Sequence, residues 1–111
     1  MNLSLQDGQT LALDEQGYLE DWTAWSDEVA DAFARLDGIE LREEHRQVLR
    51  LLREFYRDYE ISPPMRGLLK MLRKRLNDDS LDSRQLYRLF PEGPAKQACR
   101  YAGLPRPVSC I

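Results

Sequence analysis

Leu3 and Leu5, then Leu11 and Leu13, fall at every second position on either side of Asp7-Gly8, the period of a β-hairpin with one apolar face. Two strands alone are marginal in water, so this hairpin must rest on whatever follows it. Gly17-Tyr18-Leu19, with Trp22 and Trp25, make an irregular connection whose aromatics seal that contact as core residues. From there the period lengthens to that of helices. Ser26 is placed to cap a first helix, Asp27 and Glu28 suit its positive end, Val29, Phe33 and Leu36 mark its buried side, and Gly38 stands near its stop. Val48, Leu52, Phe55 and Tyr59, widened by Leu51 and Tyr56, predict a long central helix over residues 43–59.

Ser62 and Pro63 then read as the cap and first turn of a third helix, with Met65, Leu68, Leu69, Leu72 and Leu76 facing inward and Arg66, Lys70, Arg73 and Lys74 on the other side. A polar connection, residues 77–83, leads through Asp82 or Ser83 into a short fourth helix bearing Leu86, Tyr87, Leu89 and Phe90. Pro94 fits the first turn of a fifth helix that stops at Gly103. The pattern predicts one mainly α domain over 1–111: a small bundle of about five helices, helix-turn-helix-like in its middle, with an N-terminal β-hairpin. Gly103, Pro105 and Pro107 predict a flexible C-terminal arm over 103–111.

Composition narrows the class. A chain of 111 residues with 42% hydrophobic and 32% charged positions suffices for one core without disulfide or metal support. No apolar run approaches the ~18 residues of a membrane span, so no membrane insertion is expected. The N-terminus, MNLSLQDGQT, lacks the pattern of a secretory signal, and the expected location is the cytoplasm, where two cysteines are more often reactive or buried than permanently bridged. The net charge of −3 is uneven: residues 1–62 carry −9 and residues 63–111 carry +6. Such a field steers an acidic protein or an RNA toward the basic face if the sequence asymmetry becomes a spatial one.

The usual catalytic templates are absent. There is no glycine-rich phosphate loop, no Ser-His-acid grouping, and no CxxC or zinc spacing. The single histidine, His45, has no second metal ligand at suitable spacing and reads as a surface or packing residue; no cofactor is expected. Helices two and three with Arg66, Lys70 and Arg73 permit a helix-turn-helix reading, yet helix pairs are the default unit of any helical domain, and direct nucleic-acid binding is not expected.

The two cysteines remain. Cys99 stands between Lys96 and Arg100 and near Arg106 in sequence; positive charge favours its thiolate, burial among Ala95, Ala98 and Ala102 opposes it, and the sequence leaves the sign open. Cys110 is penultimate, where a thiol on an arm can travel to another protein. The eleven peptide steps between them reach at most ~36 Å, while a bridge needs Cα atoms ~4.4–6.8 Å apart, so an internal bond requires the arm to fold back.

Leu86-Tyr87-Arg88-Leu89-Phe90-Pro91, then Gly93-Pro94-Ala95-Lys96-Gln97-Ala98-Cys99-Arg100, Ala102-Gly103-Leu104-Pro105 and Cys110-Ile111 closely resemble the DsrC/TusE family of sulfur-relay proteins. Weaker echoes run through Asp14-Glu15, Gly17-Tyr18-Leu19, Trp25, Glu44-His45, Arg53, Phe55-Tyr56, Ser62-Pro63 and Arg66. The resemblance implies a sulfur carrier rather than an enzyme, with Cys110 holding sulfane sulfur as a persulfide and Cys99 as the second cysteine of the DsrC-like branch. It implies a donor complex of TusBCD/DsrEFH type. The implied acceptor is dissimilatory sulfite reductase, a heterodisulfide-reductase-like complex or a tRNA thiolase. Arg66, Lys70, Arg73, Lys96 and Arg100 are the candidate docking cations. Two cysteines tilt the reading toward dissimilatory sulfur metabolism. The alternatives are a TusE-type relay to tRNA 2-thiouridine, with Cys99 a spectator, and a helix-turn-helix regulator. Arg46, where relatives commonly have tryptophan, and the short acidic 77–83 connection depart from the family pattern; the short connection argues against the sulfite-reducing branch.

Overall fold

The computed structural model describes residues 1–107. Strands β1 (Asn2–Ser4) and β2 (Thr10–Ala12) pair antiparallel with Leu3 opposite Leu11, as the alternation predicts. Leu13 and Leu19 form one further bridge. Between them the Asp14 carboxylate accepts the backbone N–H of Gln16 and Tyr18, closing a side-chain-built turn. A 3-10 turn, Trp22–Ala24, leads into five helices: α1 (Asp27–Asp37), α2 (Glu43–Tyr59), α3 (Met65–Leu76), α4 (Ser83–Leu89) and α5 (Pro94–Tyr101).

The helix ends show which local signals survive folding. Gly38 takes the left-handed conformation (φ 72°) and returns its N–H to Ala34 and Arg35 at the end of α1. Asp82 caps α4, accepting from the Arg84 N–H at 2.9 Å while the Gln85 side chain accepts the Asp82 N–H at 2.8 Å, a reciprocal box that stops the polar 77–82 connection. At α2 a histidine does this work. The backbone N–H of Arg42 donates to His45 Nδ1 and His45 Nε2 donates to the Leu89 carbonyl, both at 3.0 Å. The ring is therefore neutral and buried at 4% exposure, a packing residue that ties the start of α2 to the end of α4. Burial lowers its pKa, against the pull of the Leu89 carbonyl.

Two expected caps fail. Ser26 is extended but makes no side-chain cap bond. Ser62 does not cap α3, which begins at Met65 with Pro64 in the capping position; its hydroxyl instead donates to Pro105 at the far end of the chain. Three residues assigned to buried stripes, Leu36, Tyr59 and Leu76, are exposed. Each lies in the last turn of its helix, where the apolar repeat overruns the length that is packed. Tyr87, next to the buried Leu86 and so about a quarter-turn away from it, is also exposed.

The core is centred differently from the sequence expectation. The long α2 does bury Val48, Leu49, Leu51 and Leu52, but the element against which α1, α2, α3 and α4 all pack is the eight-residue α5. Its Ala95, Ala98, Cys99, Tyr101 and the following Ala102 are buried. Small residues let four neighbours approach one short helix, and Tyr101 fills the remaining space against Phe33 and Phe90, with ring centroids at 6.3 and 5.8 Å. Arg46, the departure from the family pattern, joins α2 to α1 through Asp27 and Asp31 at 3.3 and 2.8 Å. Replacing Asp82 with alanine removes the α4 cap at the edge of this core. Urea unfolding is expected to report a loss of about 1 kcal/mol, with α5 still folded.

Candidate functional site around Cys99 and the exit of helix α5

A helix end leaves carbonyls without partners, and at α5 two side chains from elsewhere take them up. Trp25 Nε1 donates to the Tyr101 carbonyl at 2.8 Å. Arg53 Nη1 donates to the Ala102 carbonyl at 2.8 Å while its Nη2 donates to the Trp22 carbonyl at 3.0 Å. The guanidinium lies over the Trp25 and Trp22 rings, 4.5 and 5.1 Å from their centroids. Desolvation in this cage depresses the Arg53 pKa; the group stays charged because its ordinary value is so high, and its positive charge meets the negative end of the helix. The chain then turns at Gly103, whose φ is 71°, with the Trp25 ring so close that a Cβ there would sit 2.6 Å from Trp25 Cδ1. Only glycine fits both demands.

Beyond the turn the chain does not leave the body at once. The Leu104 N–H donates to the Cys99 carbonyl at 3.0 Å, Leu104 is fully buried, the Pro105 carbonyl accepts from Ser62 Oγ at 3.0 Å, and Pro107 is buried. At the start of the expected arm, Gly103, Leu104 and Pro107 are thus packed, while Pro105 and Arg106 are exposed. Gly103 is a clamped turn, since its left-handed backbone and its contact with Trp25 serve a close approach. Cys110 lies outside the described residues, with the remainder of the expected arm.

Cys99 has no solvent exposure. Burial pushes its thiol pKa up to about 12, against a smaller downward pull from the Ser62 hydroxyl. The question left open by sequence is answered in favour of burial: this is a protonated, enclosed thiol. The flanking cations do not reverse it. Lys96 is exposed, and Arg100 turns to the Asp37 carboxylate. Asp37 is also bonded by Tyr101 Oη at 2.5 Å and by Gln97 Nε2 at 3.3 Å. Gln97 Nε2 further donates to Tyr101 Oη at 3.0 Å. Burial, then the Asp37 carboxylate, raise the Tyr101 pKa. This cluster fastens the end of α1 to α5.

Of the candidate docking cations, Arg66, Lys70 and Lys96 are exposed. Arg73 and Arg100 are committed within the fold, Arg73 Nε donating to the Leu81 carbonyl at 2.6 Å to brace the 77–82 connection. Sequence reasoning did not single out Asp37, Gln97 or Tyr101, nor a positioning task for Arg53. The spacing of Gln97 and Tyr101 on one helix face was available as a signal; their meeting with Asp37 depends on the tertiary fold. Among the described residues no group of three His, Cys, Asp or Glu could hold a metal ion, and no helix is long and apolar enough to cross a membrane.

The family described as "DsrC like protein" matches residues 6–111. The chain is 49% identical over 105 residues to a protein named sulfurtransferase TusE from Pectobacterium atrosepticum, covering 95% of this chain and 96% of that one. It is 48% identical over the same shares to the one from Salmonella typhimurium. Among solved structures, DsrC of Allochromatium vinosum superposes with TM-score 0.88 at 46% identity, covering the whole of both chains. The oxidized γ-subunit of dissimilatory sulfite reductase (DsrC) from Archaeoglobus fulgidus superposes with TM-score 0.85 at 41% identity, again over both whole chains.

The enclosed Cys99 thiol has a consequence at alkaline pH. Its folded pKa is raised from the ordinary 9.0 to about 12, so its contribution to stability is full below pH 9 and is lost as pH rises toward 12, because the unfolded chain gives up its proton first. Urea unfolding across this range should show stability falling more steeply in the native sequence than in Cys99→Ala. The tyrosines titrate in both proteins and cancel in the difference. Equal slopes would mean that the thiol loses its proton as readily in the folded chain as in the unfolded one.

Proposed function

The chain belongs to the DsrC-like family of sulfur-relay proteins, and from that premise we propose that it carries sulfane sulfur as a persulfide on Cys110 and passes it between partner proteins in the cytoplasm, as a carrier rather than a catalyst. The observation that carries this reading is the family match across residues 6–111, which includes both cysteines. The clamped exit of α5 supports it: a fixed root after a rigid body gives the last residues a defined starting point for reaching into a partner. Transfer is thiol exchange. An acceptor thiolate attacks the outer sulfur of the Cys110 persulfide, the sulfur–sulfur bond breaks, and Cys110 leaves as thiolate.

In the finer form of the proposal the setting is dissimilatory sulfur metabolism and Cys99 takes part. Its thiolate attacks the Cys110 sulfur of the persulfide, forming the Cys99–Cys110 disulfide and releasing hydrosulfide, its own proton having gone to solvent. The donor is a TusBCD/DsrEFH-like complex, and the acceptor is dissimilatory sulfite reductase or a heterodisulfide-reductase-like complex. Arg66, Lys70 and Lys96 are the cations free to meet an acidic partner surface. A second reading, relay to a tRNA thiolase for 2-thiouridine with Cys99 a spectator, is favoured by the complete burial of Cys99 and by the TusE names of the relatives. The helix-turn-helix regulator is not carried forward, since Arg73 of its proposed contact set is held by Leu81.

Incubation with a sulfane-sulfur-loaded donor protein, followed by mass spectrometry, is expected to add sulfur at Cys110, with the adduct lost in Cys110→Ala and kept in Cys99→Ala. No adduct from competent donors overturns the carrier reading. Mild oxidation separates its two forms: an internal disulfide in a monomer supports participation of Cys99, whereas dimers linked through Cys110 alone support the single-cysteine relay.

A further inference from the structure

Ser62 sits in the turn between α2 and α3, and its hydroxyl meets two parts of the same site. It donates to the Pro105 carbonyl at 3.0 Å, and it exerts a small downward pull on the pKa of the Cys99 thiol. The two partners are already tied by the backbone, since the Leu104 N–H returns to the Cys99 carbonyl. Up to Gly103 the exit from α5 is held by Arg53 and Trp25, through bonds set in a cage of two aromatic rings. Beyond Ala102 the Ser62–Pro105 bond is the one side-chain hydrogen bond to the chain among the described residues, and its donor is only half-buried. Water replaces such a bond at small net cost. Segment 104–107 therefore has a strong root and a weak outer fastening, the arrangement from which local openings arise.

We propose that Ser62 is a latch on Cys99: while its hydroxyl holds the Pro105 carbonyl the thiol stays closed to solvent, and release of that bond lets the chain after Gly103 lift so that a sulfur reactant reaches Cys99. The inference rests on the sulfur-carrier reading, in which Cys99 must be uncovered before it meets Cys110 or its sulfur, and it names the residue that controls that step. Ser62 is a positioning residue; it acts through the strap and does not itself react. The choice of side chain follows from the task. Threonine is the other residue with a hydroxyl at this reach, and the extended backbone required before Pro63 accepts it.

The test uses the full chain carrying Cys110→Ser, so that Cys99 is the sole thiol, and follows its alkylation by iodoacetamide from pH 7 to 10 by mass. Ser62→Ala is expected to raise the rate roughly fivefold, the population shift that loss of one ordinary hydrogen bond produces. The pH midpoint should stay unchanged, because reaction passes through an opened state whose thiol ionises in water. Ser62→Thr should keep the slow rate. Asp82→Ala, which weakens the fold away from this strap, should leave it within a factor of two. The proposal is overturned by an unchanged or slower rate in Ser62→Ala, by a midpoint that moves up, by a fast Ser62→Thr, or by equal acceleration in Asp82→Ala. The last outcome would mean that Cys99 is reached by general unfolding. Sulfur loading at Cys110 does not enter these rates, so a chain that takes no sulfur can still show the latch, and a chain that loads can lack it.

Discussion

Everything in this molecule depends on the satisfied end of one short helix. The last carbonyls of α5 are taken by Trp25 and Arg53, and the chain turns at Gly103 directly under the Trp25 ring. A buried helix end without partners would forfeit hydrogen bonds at several groups at once. Here an arginine with no carboxylate partner among the described residues is stabilised by two carbonyls and two aromatic faces. That arrangement joins the irregular 22–25 segment, the middle of α2 and the exit of α5. It fixes α5 lengthwise while α1, α2, α3 and α4 pack round it, and Cys99 is buried as a result.

The same constraint accounts for the chemistry of Cys99. Cys99 lies on the helix that the fold encloses, so desolvation decides its pKa and neighbouring cations do not. Arg100, one residue on, is drawn to the Asp37, Gln97 and Tyr101 cluster. A thiol in that state is protected from adventitious oxidation and reacts only on exposure.

Local signals made much of the fold legible. The alternation round Asp7-Gly8, the limits of α2, the Asp82 cap and Pro94 at the start of α5 are each set by residues within a few positions of one another, and each is found in the structure. What sequence did not reveal lies where distant groups outcompete local ones. Ser62 read as a cap because capping is the nearest use of its hydroxyl, but the Pro105 carbonyl takes it. Arg73 read as a free surface cation, yet the Leu81 carbonyl holds it. Helix α2 read as the central element because of its long apolar stripe, although the small alanines of α5 are what allow four helices to meet on that shorter helix. Gly103 read as a helix stop and the start of an arm, and its close contact with Trp25 is visible only in three dimensions. For the site, the cysteines and the family were legible from short runs of residues; the enclosure of Cys99 was not, because it depends on four distant helices packing round α5.

The central claim, that body and tail root form one unit through the approach of Gly103 to Trp25, is tested most directly by a double-mutant cycle of Gly103→Ala and Trp25→Ala read by urea unfolding. Each single change should destabilise. Because the added methyl clashes with a ring that the second change removes, the Gly103→Ala penalty should shrink by at least about 1 kcal/mol in the Trp25→Ala background, the coupling typical of residues in contact. Strictly additive penalties would contradict the account, leaving Gly103 as a backbone requirement alone and Trp25 as an unrelated core residue.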